Sequence, residues 1–238
     1  MTPHLRSSTG SRVIVLAAVC LGLPVVGLCL AGKDPAPYFA FPPEIRDTGY
    51  PDFSLWLTVS YWVVVTLLIP AWFFFRVNRP KSEPVSPSPL RPFPVWGWFA
   101  LGWQAIWWFL AWTRFPWFSE VQPYTYAPLW FGFIVLLNAW IRRRNGRAPL
   151  LDDLPHFAWL FGLSAVFWWA FEFLNRFVQN WIYHGVENFG PWAYFLHATL
   201  CFSTVLPAVY SMRELLRTFP ALQTLLARGP RMPRCSRP

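Results

Sequence analysis

The chain has 238 residues, of which 55% are hydrophobic and 13% are charged. A soluble domain carries roughly 25% charged residues, so this composition excludes an ordinary soluble protein and indicates a membrane protein. Aromatic residues make up 20% of the chain, which also excludes disorder caused by low hydrophobicity. The formal net charge is +9, and the positions of the basic residues explain this charge by membrane topology.

Uncharged stretches of the chain predict six transmembrane helices, because most of them approach the ~20 residues that a helix needs to cross a bilayer. They run over Val13 to Gly32, Ser54 to Phe75, Pro94 to Thr113, Tyr124 to Ile141, Phe157 to Phe171 and Gly190 to Met212. The fifth stretch spans the bilayer only if its helix continues through Glu172. The stretches are apolar on every face rather than at alternate positions, which favours helices over strands. We therefore expect an all-α fold, a polytopic membrane helical bundle with six transmembrane helices.

The predicted helices fall into two groups along the chain. Residues 1-77 hold helices one and two with an outer loop, and residues 96-212 hold helices three to six. Between them, residues 78-95 form a Pro-rich cytoplasmic linker, and residues 213-238 form a basic cytoplasmic tail. The stretches that begin at Gly102 and Gly162 are similar, and each leads to an arginine and a proline-started helix. A repeat of helical hairpins is one interpretation of this similarity.

The distribution of lysine and arginine predicts the orientation. Sixteen of the 20 basic residues lie in the amino-terminal segment, the second and fourth connections and the tail. The other side has only Lys33, Arg46, Arg114 and Arg176. By the positive-inside rule, both termini are cytoplasmic. We expect a multi-pass protein of a bacterial inner (cytoplasmic) membrane, whose basic loops attract anionic membrane lipids. Nucleic acid is not an expected partner, because the arginines flank membrane spans rather than form a basic domain.

Several chemistries have no support in the sequence. The four cysteines contain no Cys-x-x-Cys pair, and His and Cys residues have no metal-ligand spacing, so we predict neither a structural disulfide nor a metal site. No cofactor is indicated. We expect the first span to remain as an anchor, with a cleaved signal peptide as the alternative.

Two ionisable residues lie inside the predicted hydrocarbon layer, Glu172 and His197. Such a residue costs at least ~2.5 kcal/mol on insertion scales, so its presence requires a reason. Both are expected in the outer half of the bilayer. Counting by three and four, Glu172, Asn175 and Arg176 share one helix face, and this polar stripe leads to Trp181 and Tyr183 in the next connection.

One interpretation of this stripe is a ligand pocket that opens to the outer side. Glu172 is then the candidate catalytic residue, at the floor of the pocket. The candidate ligand-binding residues are Asn175, Arg176, His197, Trp181 and Tyr183, with Arg114 and Glu120 from the aromatic loop between helices three and four. The alternative is that Glu172 pairs with Arg176 one turn away, and that the polar residues only fix helix packing.

The region from Trp168 to Pro207 resembles lycopene-cyclase-type membrane domains. The residues that carry the resemblance are Glu172 late in a helix, then Trp181-x-Tyr183 and a helix that begins with Pro191. The resemblance implies a small hairpin-built membrane fold that acts on carotenoid ends. It assigns proton donation to Glu172 and shielding of a carbocation to Trp181 and Tyr183. The chain departs from that family where Pro191 is followed by Trp192 rather than by a carboxylate pair.

Three classes of function remain open from the sequence. The first is binding or modification of a lipophilic ligand, an isoprenoid or a lipid, at an outer-leaflet pocket. The second is a structural or assembly subunit with a membrane-protein partner, supported by the abundant aromatic residues. The third is a transporter, which is the least favoured because the spans contain a single carboxylate and no pair of broken helices. The sequence does not decide whether the protein is an enzyme.

Overall fold

The structure, a computed structural model, describes residues 3–43, 52–77 and 89–227, and for 3–9, 72–77 and 224–227 only the backbone. Every regular element in these ranges is helical, which confirms the all-α prediction. The helices are α1 (Pro3–Leu30), α2 (Ala36–Phe39), α3 (Leu55–Val77), α4 (Val95–Trp112), α5 (Tyr126–Asn145), α6 (Pro149–Asp152), α7 (Leu154–Val178), α8 (Pro191–Ser203), α9 (Val205–Arg217) and α10 (Pro220–Ala227). Most of the predicted linker and the end of the tail lie outside the described residues.

Four helical stretches are long and apolar enough to cross a membrane. They are Gly10–Leu30, Gln122–Asn145, Leu154–Val178 and Pro191–Arg217. The apolar part of α3, Leu55–Ala71, is shorter, and α4 is rich in tryptophan, an amphipathic residue that favours the membrane interface. The predicted count of six spans is therefore not confirmed. The fifth predicted span does continue through Glu172, because α7 runs to Val178.

The bundle is built from two helical hairpins that pack against each other. Helix α4 packs along α5, and α7 packs along α8 and α9. Helix α5 joins the two hairpins through its contacts with α8 and α9, while α1 lies against α7. This pairing is compatible with a hairpin repeat, which stays a prediction.

Helix ends in the bundle follow the local sequence. Helix α5 ends at Asn145 because Gly146 takes the left-handed conformation, with φ 77°, and donates its N–H to Arg142 O at 2.8 Å. Helix α7 ends where Gln179 adopts φ 46° and donates its N–H to Asn175 O at 2.7 Å. The second ending sends the chain into the connection 179–190, which builds most of the candidate site.

The sixth predicted span is divided into α8 and α9 at Thr204. Pro207 follows the break and has no N–H to donate. The hydroxyl of Ser164 on α7 bridges the two backbone groups that the break leaves without a helical partner. It accepts a hydrogen bond from Leu206 N at 3.0 Å and donates one to Phe202 O at 2.5 Å. Ser164 is 1% exposed, so this bond pair both satisfies the break and ties α7 to it.

A second buried polar contact joins the second half of α5 to its neighbouring helices. Asn138 on α5 is fully buried. Its Nδ2 donates to Ile134 O and to Ser211 Oγ, both at 2.9 Å, and its Oδ1 accepts from Leu150 N at 3.1 Å. One bond thus lies within α5, and the other two join α5 to α9 and to α6, which is a structural role.

Candidate functional site

The carboxylate of Glu172 is the centre of the candidate site. The residue lies late in α7 and is 2% exposed. Its Oε2 accepts from the Tyr183 hydroxyl at 3.0 Å and from Trp181 Nε1 at 3.4 Å. Trp181 Nε1 also donates to the Tyr183 hydroxyl at 2.9 Å. The three side chains therefore form a closed triangle, although two of them come from an irregular connection.

The Tyr183 hydroxyl lies in a partly buried position beside Glu172. Burial, and after it the neighbouring charge of Glu172, raises the pKa of the Tyr183 hydroxyl above its usual range. The hydroxyl is protonated at neutral pH, as in any tyrosine, and it donates to the carboxylate. Both of these donors bond Oε2, and the Tyr194 hydroxyl is a further hydrogen-bond partner of the carboxyl group.

A cavity of about 260 Å³ lies beside this carboxylate, and we call it the carboxylate cavity. Its walls come from the segment 37–43, the end of α7, the connection 179–190 and the start of α8. The lining residues are Pro37, Tyr38, Ala40, Pro42, Pro43, Glu172, Asn175, Arg176, Gln179, Trp181, Ile182, Tyr183, Val186, Glu187, Phe189 and Tyr194. Glu172 is thus buried yet faces open space, the arrangement expected of a ligand-binding acid.

Asn175 positions the connection rather than offering free polar groups. It lies one turn after Glu172 and is 7% exposed. Its Oδ1 accepts from Asn180 N at 2.8 Å and Trp181 N at 3.3 Å, and its Nδ2 donates to Trp181 O at 2.8 Å. Asn175 therefore fixes the backbone of Trp181, and through it the indole that contacts Glu172.

The guanidinium of Arg176 bonds the segment 37–43 rather than Glu172. Its Nη1 donates to Ala40 O at 2.9 Å and to Tyr38 O at 3.2 Å, and its guanidinium lies over the Phe41 ring at 5.9 Å. The two side chains form no ion pair, so the alternative in which Arg176 seals the carboxylate is not realised. Arg176 instead anchors the segment 37–43 as the wall of the carboxylate cavity.

His197 lies in a second cavity, of about 450 Å³, which we call the histidine cavity. Its Nε2 lies 3.6 Å from Cys201 Sγ, and its ring packs edge-on against Tyr124 and Phe189. The lining residues are Pro123, Tyr126, Trp168, Trp181, Ile182, Tyr183, His184, Val186, Tyr194, His197, Ala198, Cys201 and Phe202. His197 and Glu172 therefore do not line the same cavity.

Two predicted ligand-binding residues lie away from both cavities. Arg114 is exposed and donates to Ala111 O at 2.8 Å, within its own hairpin. Glu120 is also exposed and lines neither cavity. The aromatic loop still reaches the site, but through Pro123, Tyr124 and Tyr126 rather than through its charges.

Sequence reasoning missed several residues of the site. Tyr194 lines both cavities, and it follows Pro191 by three residues, so its place on the first turn of α8 was readable from the sequence. Cys201 follows His197 by four residues, the spacing that puts two side chains on one helix face. The contribution of the segment 37–43 had no local signal, because an irregular proline-rich stretch has no periodicity that predicts its contacts.

The arrangement offers a carboxylate acceptor, aromatic walls and open volume in a part of the molecule that joins two apolar helices. Among the side chains that the structure describes, no three His, Cys, Asp or Glu groups lie together as a metal site. The chemistry available on this chain's own residues is therefore hydrogen bonding to, or proton exchange with, a polar group of a bound molecule.

We compared the chain with protein families, curated proteins and solved structures. No protein family, no curated protein and no solved structure matches this chain. The resemblance to lycopene-cyclase-type domains accordingly stays a prediction, and the geometry described above is the basis for a functional proposal.

Proposed function

We propose that this chain is a multi-pass protein of a bacterial inner membrane that binds a lipophilic ligand, an isoprenoid or a lipid, in the outer leaflet. Glu172 accepts a hydrogen bond from the polar group of that ligand in the carboxylate cavity. The proposal includes six membrane-spanning helices, with α3 and α4 as the two beyond the four that meet the length and hydropathy criteria, and both termini in the cytoplasm.

The observation that carries the proposal is a buried acid that borders a void and forms no ion pair with any side chain that the structure describes. Glu172 is 2% exposed and borders about 260 Å³ of space. Burying a carboxylate costs free energy, and a purely structural acid would be expected to be sealed by its partners. Here the nearest cationic residue on the same helix face, Arg176, is committed to two backbone carbonyls.

The charge distribution supports the orientation. The end of α5 opposite the cavities carries Arg142, Arg143 and Arg144 in its last turn. Arg144 reaches across to donate to Thr218 Oγ1 at 2.7 Å and lies over the Phe219 ring at 3.7 Å. Basic side chains concentrated at this end fit the cytoplasmic face by the positive-inside rule, which supports an outer position of the carboxylate cavity.

A second candidate is a structural subunit of a membrane complex. It is favoured by α3, whose large apolar side chains from Leu55 to Ile69 are mostly exposed. Lipid would cover such a helix equally well in the membrane. Size analysis in mild detergent separates the two, since an assembly subunit co-purifies with a protein partner and a ligand-binding protein does not require one.

The test is lipid extraction from purified protein followed by mass spectrometry. We expect the wild type to retain a specific lipophilic compound at near-stoichiometric amount and Glu172→Gln to lose most of it. The matched control is Glu120→Gln, which changes an exposed acid that lines neither cavity. Equal retention by wild type and Glu172→Gln would refute the proposal.

A further inference from the structure

The carboxylate cavity and the histidine cavity adjoin each other and share a group of lining residues, which we call the wall. Five residues line both of them, namely Trp181, Ile182, Tyr183, Val186 and Tyr194. Four of the five belong to the connection 179–190, which has no regular secondary structure. The wall is thus formed largely by side chains of a loop, held by the hydrogen bonds of Trp181 and Tyr183 to Glu172.

The two cavities differ sharply in chemistry. The carboxylate cavity carries the charged groups Glu172, Arg176 and Glu187, whereas the histidine cavity has no carboxylate, lysine or arginine among its lining residues. The inner surface of the histidine cavity is formed by Ala198, Cys201 and Phe202, which belong to a buried apolar cluster with Trp168 packed against it.

We propose that the two cavities form one bipartite site for a single-chain amphiphile, with its polar head in the carboxylate cavity and its hydrocarbon chain in the histidine cavity. This inference rests on the proposed function and deepens it, because it names the ligand class and assigns a role to the second cavity. The chain passes the wall beside Tyr183, whose ring faces Phe202 at 6.2 Å on the histidine side while its hydroxyl bonds Glu172 on the other.

The polarity of the two cavities determines this orientation. A hydrocarbon chain in the carboxylate cavity would displace water from the charged groups Glu172, Arg176 and Glu187 without replacing its hydrogen bonds, which is costly. A charged polar head in the histidine cavity would meet no carboxylate, lysine or arginine among the lining residues. The histidine cavity instead offers a hydrocarbon chain the apolar surfaces of Trp168, Ala198 and Phe202.

Cys201 provides a reporter inside the histidine cavity. In a variant with Cys20, Cys29 and Cys235 replaced by serine, Cys201 is the remaining cysteine, and its alkylation by uncharged N-ethylmaleimide requires access to that cavity. The probes are lysophosphatidylethanolamines with a palmitoyl or a hexanoyl chain, added to delipidated protein in detergent. Binding of each probe is measured separately by titration calorimetry.

We expect bound palmitoyl probe to slow the alkylation of Cys201 about tenfold at a concentration about ten times its dissociation constant, since about nine-tenths of the sites are then filled. The hexanoyl probe should bind more weakly and leave the rate nearly unchanged. A matched control carries Ser119→Cys in a Cys201→Ser background, where the exposed thiol should react at the same rate with either probe.

Two further outcomes separate this inference from the proposed function. If the palmitoyl probe binds, and Glu172→Gln weakens it, but Cys201 reacts at an unchanged rate, the chain lies elsewhere and the bipartite site is wrong. If neither probe binds and no lipophilic compound is extracted from the wild type, the proposed function itself fails.

A second variant, Ala198→Leu, narrows the histidine cavity. It should weaken binding of the palmitoyl probe selectively, and equal weakening of the binding of both probes would contradict the assignment of the hydrocarbon chain to this cavity.

Discussion

The hydroxyl of Tyr183 lies 3.0 Å from Oε2 of Glu172, although the two residues are eleven positions apart and only Glu172 belongs to a helix. This bond closes the connection 179–190 over the end of α7. Trp181 Nε1 donates to the same oxygen, so the two donors together orient the carboxylate. The site therefore depends on the connection 179–190, which is held in place by its hydrogen bonds to the Glu172 carboxylate.

Removal of the Tyr183 hydroxyl tests whether the site depends on the hydrogen bond to Glu172. We expect Tyr183→Phe to destabilise the protein by about 1–3 kcal/mol, since the buried carboxylate loses a donor and Trp181 loses an acceptor. The measurement is the thermal unfolding midpoint in detergent, with retention of extracted lipid as a second readout. Tyr61→Phe on the exposed face of α3 serves as the control and should change neither. Unchanged stability of Tyr183→Phe would show that the triangle of hydrogen bonds is not formed.

Arg176 is predicted to hold the wall of the carboxylate cavity. In Arg176→Gln, the carbonyls of Tyr38 and Ala40 lose a charged donor, and each such bond contributes about 1.5–3 kcal/mol. We expect faster deuterium uptake in residues 36–43, measured by hydrogen exchange with mass spectrometry. Arg114→Gln, which changes an arginine bonded within its own hairpin, should leave that segment unaffected. Uptake that rises equally in both variants would argue against the anchor.

Ser164 is predicted to stabilise the break between α8 and α9. Ser164→Ala leaves Leu206 N and Phe202 O without the inserted hydroxyl, and we expect a loss of about 1–3 kcal/mol. Ser203→Ala is the matched control, because that hydroxyl bonds only Leu200 O in its own helix, and it should cost about 0.5 kcal/mol or less. Equal thermal midpoints for the two variants would mean that Ser164 does not support the break.

The proposed orientation predicts a pattern of cysteine labelling. In a cysteine-free background, a membrane-impermeant maleimide applied to intact spheroplasts should label Ser119→Cys and His184→Cys. Asn145→Cys and Asp153→Cys, at the opposite end of the bundle, should react only after permeabilisation. All four residues are exposed, so burial does not limit the reaction. The reverse pattern would invert the orientation and place the carboxylate cavity on the cytoplasmic side.

The helices were largely readable from the sequence, because uncharged runs of membrane length have few alternatives to a helix. Length alone required the run from Phe157 to Phe171 to continue through Glu172 if it was to span the bilayer, and α7 continues to Val178. The break between α8 and α9 at Thr204 was harder to predict from the sequence. Pro207 marks its place, but the hydroxyl that satisfies it comes from Ser164 on another helix, and no local pattern predicts that contact.

Much of the candidate site was predictable, including Trp181 and Tyr183 in the irregular connection, but helix spacing gave the clearest signal. Spacing by three and four placed Glu172, Asn175 and Arg176 on one face, and the structure brings them to one cavity. Spacing could not predict that Arg176 would turn to the carbonyls of the segment 37–43, since this choice depends on a distant irregular segment. For the same reason, the division of His197 and Glu172 between two cavities depends on the path of the connection 179–190.

Infrared difference spectroscopy of the carboxyl stretching region tests the central claim most directly. Addition of the extracted lipophilic compound to delipidated protein should perturb one carboxyl or carboxylate band, and that signal should vanish in Glu172→Gln and persist in Glu120→Gln. If the compound binds and no band assigned to Glu172 changes, the buried acid does not contact the ligand and the account is contradicted.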